Sequence, residues 1–234
     1  MKKMLQNTMM SLGVVSIFFA CTNSNNKRQI ITEINNTKTK DSISIHIDSN
    51  LTTTHNLKEV KFSENNIIEK MAYADTANFI HQKIYGCAKC YLVPAASDSL
   101  LSANKAANKI GYNLVIYDCY RPKKYQAIMY KIVNNPAFVA NPSKGSNHNK
   151  GCAIDISLAD KNGNELDMGT AFDDFTEKAH FQSSSISNEA KQNRILLRNI
   201  MTKAGFTAYD NEWWHFNFVK KEYPISNFEW NCSE

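Results

Sequence analysis

The run Ser146-Asn147-His148-Asn149-Lys150-Gly151-Cys152-Ala153-Ile154-Asp155 and the tetrad Glu212-Trp213-Trp214-His215 stand about sixty residues apart. They constrain the fold more than any other feature of the chain, because their chemistry is available only if the two segments are laid side by side. Together they supply two imidazoles and a carboxylate, a set that holds Zn²⁺ with one coordination position open, and they leave a glutamate over to serve as a base. Each alone has a plainer reading. The first would be a surface loop running into a hairpin, the second an aromatic core strand with a satisfied histidine. In combination they are the inventory of a metallohydrolase.

Local geometry supports the pairing. On a strand, Ala153 and Asp155 face the same side, and the small alanine leaves room beside the carboxylate for an ion. Gly151 lets the loop turn sharply enough to bring His148 back over that face. Glu212 precedes His215 by three residues and in a regular strand would point the other way, so irregular backbone is expected around Asp210 to Glu212, with Asp210-Asn211 as the turn.

The flanking pattern predicts an α+β fold, a small, mostly antiparallel sheet with helices to one side and the zinc site on the sheet. Ser97 to Lys109 has helical spacing of Leu100, Leu101, Ala103 and Ala107, and Gly111 ends it. A buried strand is expected over Asn113 to Tyr120, then a helix opening at Arg121-Pro122 and running to about Asn134. Asn135 to Lys150 reads as a long loop. Cys152 to Leu158 alternates as a strand, Lys161-Asn162-Gly163-Asn164 is a turn, and Glu165 to Met168 is the expected hairpin partner. Asn188 to Ala204 is the clearest helix, stopped at Gly205, and Trp213 to Val219 is an aromatic strand.

The N-terminus bounds the location. Lys2 and Lys3 precede an apolar run from Leu12 to Ala20 that is too short for a stable membrane span, and residues 1–20 read as an export signal. Ala20-Cys21 followed by polar residues resembles the processing site of bacterial lipoproteins, with Cys21 lipidated, although Phe18 and Phe19 depart from the common pattern. Cleavage without lipid and a retained anchor are the other readings, and all three place the protein outside the cytoplasm, here the cell envelope facing the periplasm. Residues 21–56 are rich in Asn, Thr, Ser and Lys and read as a flexible tether with at most a short strand around Ile43 to Ile47. The catalytic domain is expected over 57–234. Without residues 1–20 the chain keeps 25 basic against 22 acidic residues, a net charge of +3 with no basic run, and nothing points to nucleic acid. Six cysteines in an exported chain invite disulfides, and if Cys21 carries lipid the remaining five imply a free thiol. Cys87-Ala88-Lys89-Cys90 lacks the second pair of a zinc knuckle, so structural bridging or buried thiols is expected.

Ser146, His148, Gly151, Ala153 and Asp155 match S-x-H-x-x-G-x-A-x-D, and Glu212 and His215 match E-x-x-H, so the chain resembles the zinc D,D-peptidases: D-alanyl-D-alanine dipeptidases, D,D-carboxypeptidases and some phage endolysins. Both tryptophans after Glu212 resemble the dipeptidase branch, as do Tyr73-Ala74 with Asn78-Phe79, Asp118-Cys119-Tyr120-Arg121-Pro122, and Met168-Gly169-Thr170-Ala171-Phe172-Asp173. Cys119 and Cys152 stand where small residues are expected. The resemblance implies that His148, Asp155 and His215 hold one Zn²⁺, that Glu212 is the base, and that Arg121 faces the oxyanion. It also implies that Asp173 takes the substrate's ammonium group and that Tyr73 lines the same pocket. Ser146 bonds near the substrate carboxylate or holds the ligand loop. The expected substrate is free D-alanyl-D-alanine, in cell-wall peptide turnover or glycopeptide resistance. A D,D-carboxypeptidase acting on stem peptides is the alternative enzyme, and a non-catalytic wall-binding lipoprotein the alternative of another class. Asp173 argues for the dipeptidase, since it has no use against a substrate without a free amine. The expected partners are this dipeptide and, through the lipid alone, a membrane.

Overall fold

The computed structural model describes residues 56–232. The expected leader, Cys21, the short strand around Ile43 to Ile47 and all but the last residue of the tether lie outside the described residues.

The described chain runs through β1 (Lys58–Val60), β2 (Ile68–Glu69) and β3 (Cys90–Leu92) into α1 (Pro94–Lys109). This helix begins three residues before the expected Ser97, because Pro94 lacks an N–H and is at no disadvantage in a first turn whose donors are unpaired anyway. β4 (Tyr112–Asp118), α2 (Lys123–Val133) and β5 (Ala153–Asp160) follow. α3 (Asn188–Lys203) is capped by Ser187, whose hydroxyl accepts from the Ala190 N–H at 3.0 Å. The chain closes with the hairpin of β6 (Thr207–Tyr209) and β7 (Glu212–Asn217).

Five strands form one sheet in the order β2-β4-β5-β7-β6, parallel only between β2 and β4. β1 and β3 form a separate antiparallel ladder. α1 and α3 pack on each other, α1 also on β4 and α3 on β5, which is the expected α+β arrangement. Two expectations need correction. β5 is buried from Ala153 through Ala159, so its alternation is one of size and not of exposure: Ile154, Ile156 and Leu158 face one side, Ala153, Asp155 and Ser157 the other. Each fully buried large aliphatic side chain contributes roughly 1.5–3 kcal/mol, which offsets the cost of placing a carboxylate in the same strand. Glu165 to Met168 does not return as a strand; it makes one bridge, Ala159 to Glu165. Asp160 Oδ1 gathers the N–H groups of Asn162 and Asn164 at 2.8 and 2.9 Å, and the chain diverges after that tight turn.

A β-bulge in β4 sets up the site. Ile116 pairs with Ile156, but Asp118 pairs with Asp155, so two residues of β4 oppose one of β5. The extra residue turns Asp118 away from the face of Ile116 and onto that of Asp155.

Cys87 bridges to Cys232 and Cys90 to Cys119, while Cys152 is free and buried. The Cys87-x-x-Cys90 pair is thus neither a zinc knuckle nor a mutual redox pair, and Cys119 departs from the small residue expected there because it has a partner.

Candidate active site

His148 opens a single 3-10 turn, His148–Lys150, that ends at Gly151 with φ +68°. The left-handed dihedral favours glycine here, and a Cβ on Gly151 would come 2.6 Å from a methyl group of Leu57, which would have to move aside. Asp155 lies on β5 and His215 directly opposite it on β7. Their ligating atoms, with that of His148, fall within 4.8 Å of one another. Asp155 Oδ1 is 2.9 Å from His215 Nδ1, Asp155 Oδ2 is 3.3 Å from His148 Nε2, and the two imidazole nitrogens are 3.3 Å apart.

The outer nitrogens test whether a cation fits. His148 Nδ1 is 2.7 Å from the Cys119 carbonyl oxygen, which only accepts, so the ring donates there and its Nε2 lone pair faces inward. His215 Nε2 donates to Asn217 Oδ1 at 3.0 Å, and that oxygen also accepts from Asn147 at 2.8 Å, leaving Nδ1 free to face inward. Two lone pairs and a carboxylate then converge on one point, which is stable only around a positive charge. N₂O donors at this spacing suit zinc. Without an ion the same centre is satisfied by protons: burial opposes charge on Asp155, but His148 and then His215 outweigh it and hold the carboxyl below its usual range. Burial likewise works against charge on His215, and Asp155 overcomes it and raises that imidazole.

Glu212 follows immediately on the turn at Asp210 and Asn211, where the β6–β7 ladder shifts register between Ala208 and Tyr209. Its Oε2 lies 4.0 Å from His215 Nδ1, so the irregular backbone expected here brings both side chains to one place. Burial raises the Glu212 carboxyl above its ordinary range, with His215 opposing and Asp155 reinforcing the shift.

Arg121 lines the same cavity and is nearly buried. Its Nε and Nη2 donate to Asp118 Oδ2 at 3.0 and 2.6 Å, and Nη1 donates to Gln126 at 3.0 Å. The second oxygen of Asp118 accepts from Tyr85 at 2.8 Å. Of five guanidinium N–H groups, two are unused among the described residues. Burial works against the Arg121 charge, and Asp118 more than restores it.

Tyr73 is buried and donates to Asp173 Oδ2 at 3.0 Å, with the Arg121 guanidinium over its ring at 5.1 Å. Asp173 adopts φ +60°, a left-handed conformation that aspartate and asparagine tolerate better than most residues. Withdrawal from water, and then the charge of Asp155, raise its carboxyl well above the usual range. The loop bearing it is tied to α3 by Arg194, only 1% exposed, whose guanidinium donates to the carbonyls of Met168, Lys178 and His180 at 2.7, 3.0 and 2.8 Å. Ser146 is engaged with Asn149: its N–H and hydroxyl reach Asn149 Oδ1 at 2.8 and 3.2 Å. Asn149 in turn donates to the Arg121 carbonyl at 2.7 Å. These bonds tie the start of the His148 turn to the backbone of Arg121.

His148, Asp155, His215, Glu212, Arg121, Tyr73, Asp173 and Ser146 thus line one cavity of about 310 Å³. A larger cavity of about 970 Å³ shares Asp173 with it but none of the three donors. Asp118, Gln126, Asn217 and Arg194 escaped the sequence reading. Asp118 lies within the run Asp118 to Pro122 and is legible there; the other three are ordinary polar residues until the fold shows what they hold.

A family model described as D-Ala-D-Ala dipeptidase, peptidase M15, matches residues 52–233. The D-alanyl-D-alanine dipeptidase of Escherichia coli (strain K12) is 38% identical over 164 residues, covering 70% of this chain and 85% of that protein. Those of Enterococcus faecium and Enterococcus faecalis (strain ATCC 700802 / V583) are 36% and 30% identical. They cover 57% and 69% of this chain, and 75% and 90% of their own lengths.

Proposed function

The chain belongs to the D-Ala-D-Ala dipeptidase family of M15 peptidases, and on that premise we propose that it is a zinc metallopeptidase hydrolysing free D-alanyl-D-alanine to two D-alanines. One observation carries the reading: a single cavity of about 310 Å³ is lined by the His148–Asp155–His215 donors, the Glu212 carboxylate, the Arg121 guanidinium and the Tyr73–Asp173 pair. That volume is at the low end of small-molecule sites, which run from roughly 300 to 1,000 Å³.

His148, Asp155 and His215 would hold the zinc, which when bound would supply Lewis acidity to the site. The chain's own groups do the rest. Glu212 accepts the proton of the attacking water and returns it to the leaving amine, and its raised basicity suits both transfers. Arg121, fixed by Asp118 and Gln126, offers its two unused N–H groups to the oxygen on which negative charge develops. Asp173, oriented by Tyr73, takes the substrate's ammonium group, which replaces the water its carboxylate has lost. Ser146 and Asn149 keep the His148 turn against Arg121.

We also place the protein in the cell envelope, exported and lipidated at Cys21, facing the periplasm. Residues 1–28 support this, and so do two disulfides, which persist in oxidising compartments. An enzyme there does not readily reach the cytoplasmic pool of the dipeptide, so recycling of wall fragments fits better than antibiotic resistance. Purified protein tests the catalytic reading: with zinc it should release D-alanine from D-alanyl-D-alanine, and a chelator should abolish the release. Turnover unchanged by complete removal of metal would overturn it.

A further inference from the structure

We propose that the Cys90–Cys119 disulfide is a positioning element of the metal site, fixing the backbone that orients His148. The inference rests on reading that site as a zinc centre.

The segment from Asp118 to Arg121 makes three contacts that matter to the site. Asp118 holds the Arg121 guanidinium at 2.6 Å. The Cys119 carbonyl accepts from His148 Nδ1 at 2.7 Å and so sets which ring nitrogen faces the donor cluster. The Arg121 N–H donates to the His148 carbonyl at 3.1 Å. Yet this segment is where β4 leaves the sheet. The bulge falls between Ile116 and Asp118, and the β4–β5 ladder ends at Asp118. Toward β3 two links take over: the Tyr120 N–H donates to the Tyr91 carbonyl at 3.0 Å, and Cys119 is bonded covalently to Cys90. Carbonyl and disulfide belong to the same residue, so a shift of Cys119 moves the acceptor of His148 directly.

Both cysteines are completely buried. Burial shields them from reductant in solution, as suits a strut more than a reversible switch. The other disulfide is a natural control. Neither Cys87 nor Cys232 lines the cavity that holds the donors, and no residue of that bridge bonds to His148, Asp155 or His215.

The test is zinc affinity of the full chain, measured by competition with a chromophoric chelator alongside thermal unfolding. Three proteins are compared: the unaltered chain, Cys90→Ala with Cys119→Ala, and Cys87→Ala with Cys232→Ala. Losing an outer partner of a ligating histidine typically costs 10–100-fold in metal affinity. We expect the Cys90/Cys119 pair to weaken zinc binding by about 10-fold or more, and the Cys87/Cys232 pair by less than about twofold even as its unfolding temperature falls. If the first variant does not fold, Cys90→Val with Cys119→Ala restores most of the lost volume and is measured instead. Equal losses of affinity in the two pairs, an unchanged affinity in the first, or failure of both Cys90/Cys119 variants to fold would overturn the proposal by showing a general structural role or none. An unaltered chain that binds no zinc would instead overturn the reading of the site.

Discussion

Asp118 stands directly across the β4–β5 ladder from Asp155, because the bulge after Ile116 has turned it onto that face. Two carboxylates opposite one another on a ladder repel, and here each has its own cation. Asp155 is neutralised by the imidazoles and the ion they would share, Asp118 by Arg121 at 2.6 Å. The Asp118–Arg121 pair is almost wholly buried, so removing one member leaves an uncompensated charge. Asp118→Ala should lower stability by about 3–5 kcal/mol, measured by urea unfolding of the metal-free protein. A loss under about 1 kcal/mol, the range of an exposed pair, would mean that water reaches Arg121.

Glu212 is the group whose removal should separate binding from chemistry. It is not one of the three donors, and its oxygen stays 4.0 Å from His215 Nδ1. Glu212→Ala should therefore keep its zinc, as metal analysis after dialysis would show, while kcat falls by roughly 10²–10⁴, the share usual for a positioned acid–base group. Unchanged turnover in that variant would remove Glu212 from the mechanism.

Asp173 carries the pH dependence most cleanly, since it is not a ligand of the proposed ion. Its carboxyl is raised well above the ordinary 3.8, so the folded state binds its proton more tightly than the unfolded state does. Stability from this group is complete below the unfolded value and is lost as pH rises through the folded one. Asp173→Asn, which keeps the shape and tolerates φ +60°, should therefore match the unaltered metal-free chain in thermal melts at pH 3 and exceed it at pH 8. The same variant should raise KM for the free dipeptide, because the ammonium loses its counter-charge. A melt difference of the same size at both pH values would contradict the assignment.

Cys152 should be inert. Burial, partly opposed by Lys150, pushes its thiol up to about 11, and a thiol rather than a thiolate is a poor nucleophile. Alkylation of the folded protein at pH 8 should leave it unmodified. Non-reducing peptide maps should return Cys87 joined to Cys232, Cys90 joined to Cys119, and Cys152 alkylated only after denaturation. A map joining Cys87 to Cys90 would contradict the fold around β3.

What the sequence reveals here is chiefly what is local. The two ligand runs, the Gly151 turn, the Gly111 and Gly205 stops and the kink before Glu212 all follow from spacing and dihedral preference within a few residues. Size alternation along β5 is legible too, but its burial on both faces is not, because that depends on which elements cover it. The partners of Cys87 and Cys90 are 145 and 29 residues away, and no count of cysteines chooses between pairings at such distances. Arg194 and Asn217 illustrate the same limit. One reads as a helix arginine and the other as the tail of a strand until the loop carrying Asp173 and the ring of His215 are placed against them.

The role proposed for Asp173 and Tyr73 is to read a free ammonium group in the pocket that holds the His148–Asp155–His215 centre. The most direct measurement is kcat/KM of the zinc-loaded protein for D-alanyl-D-alanine against its N-acetyl derivative. A buried site built around one polar group rejects the analogue lacking it by on the order of 10⁴, and a preference of that order for the free dipeptide is the predicted result. Equal efficiency on the two substrates would contradict it, and would assign the site to carboxypeptidase chemistry on longer peptides.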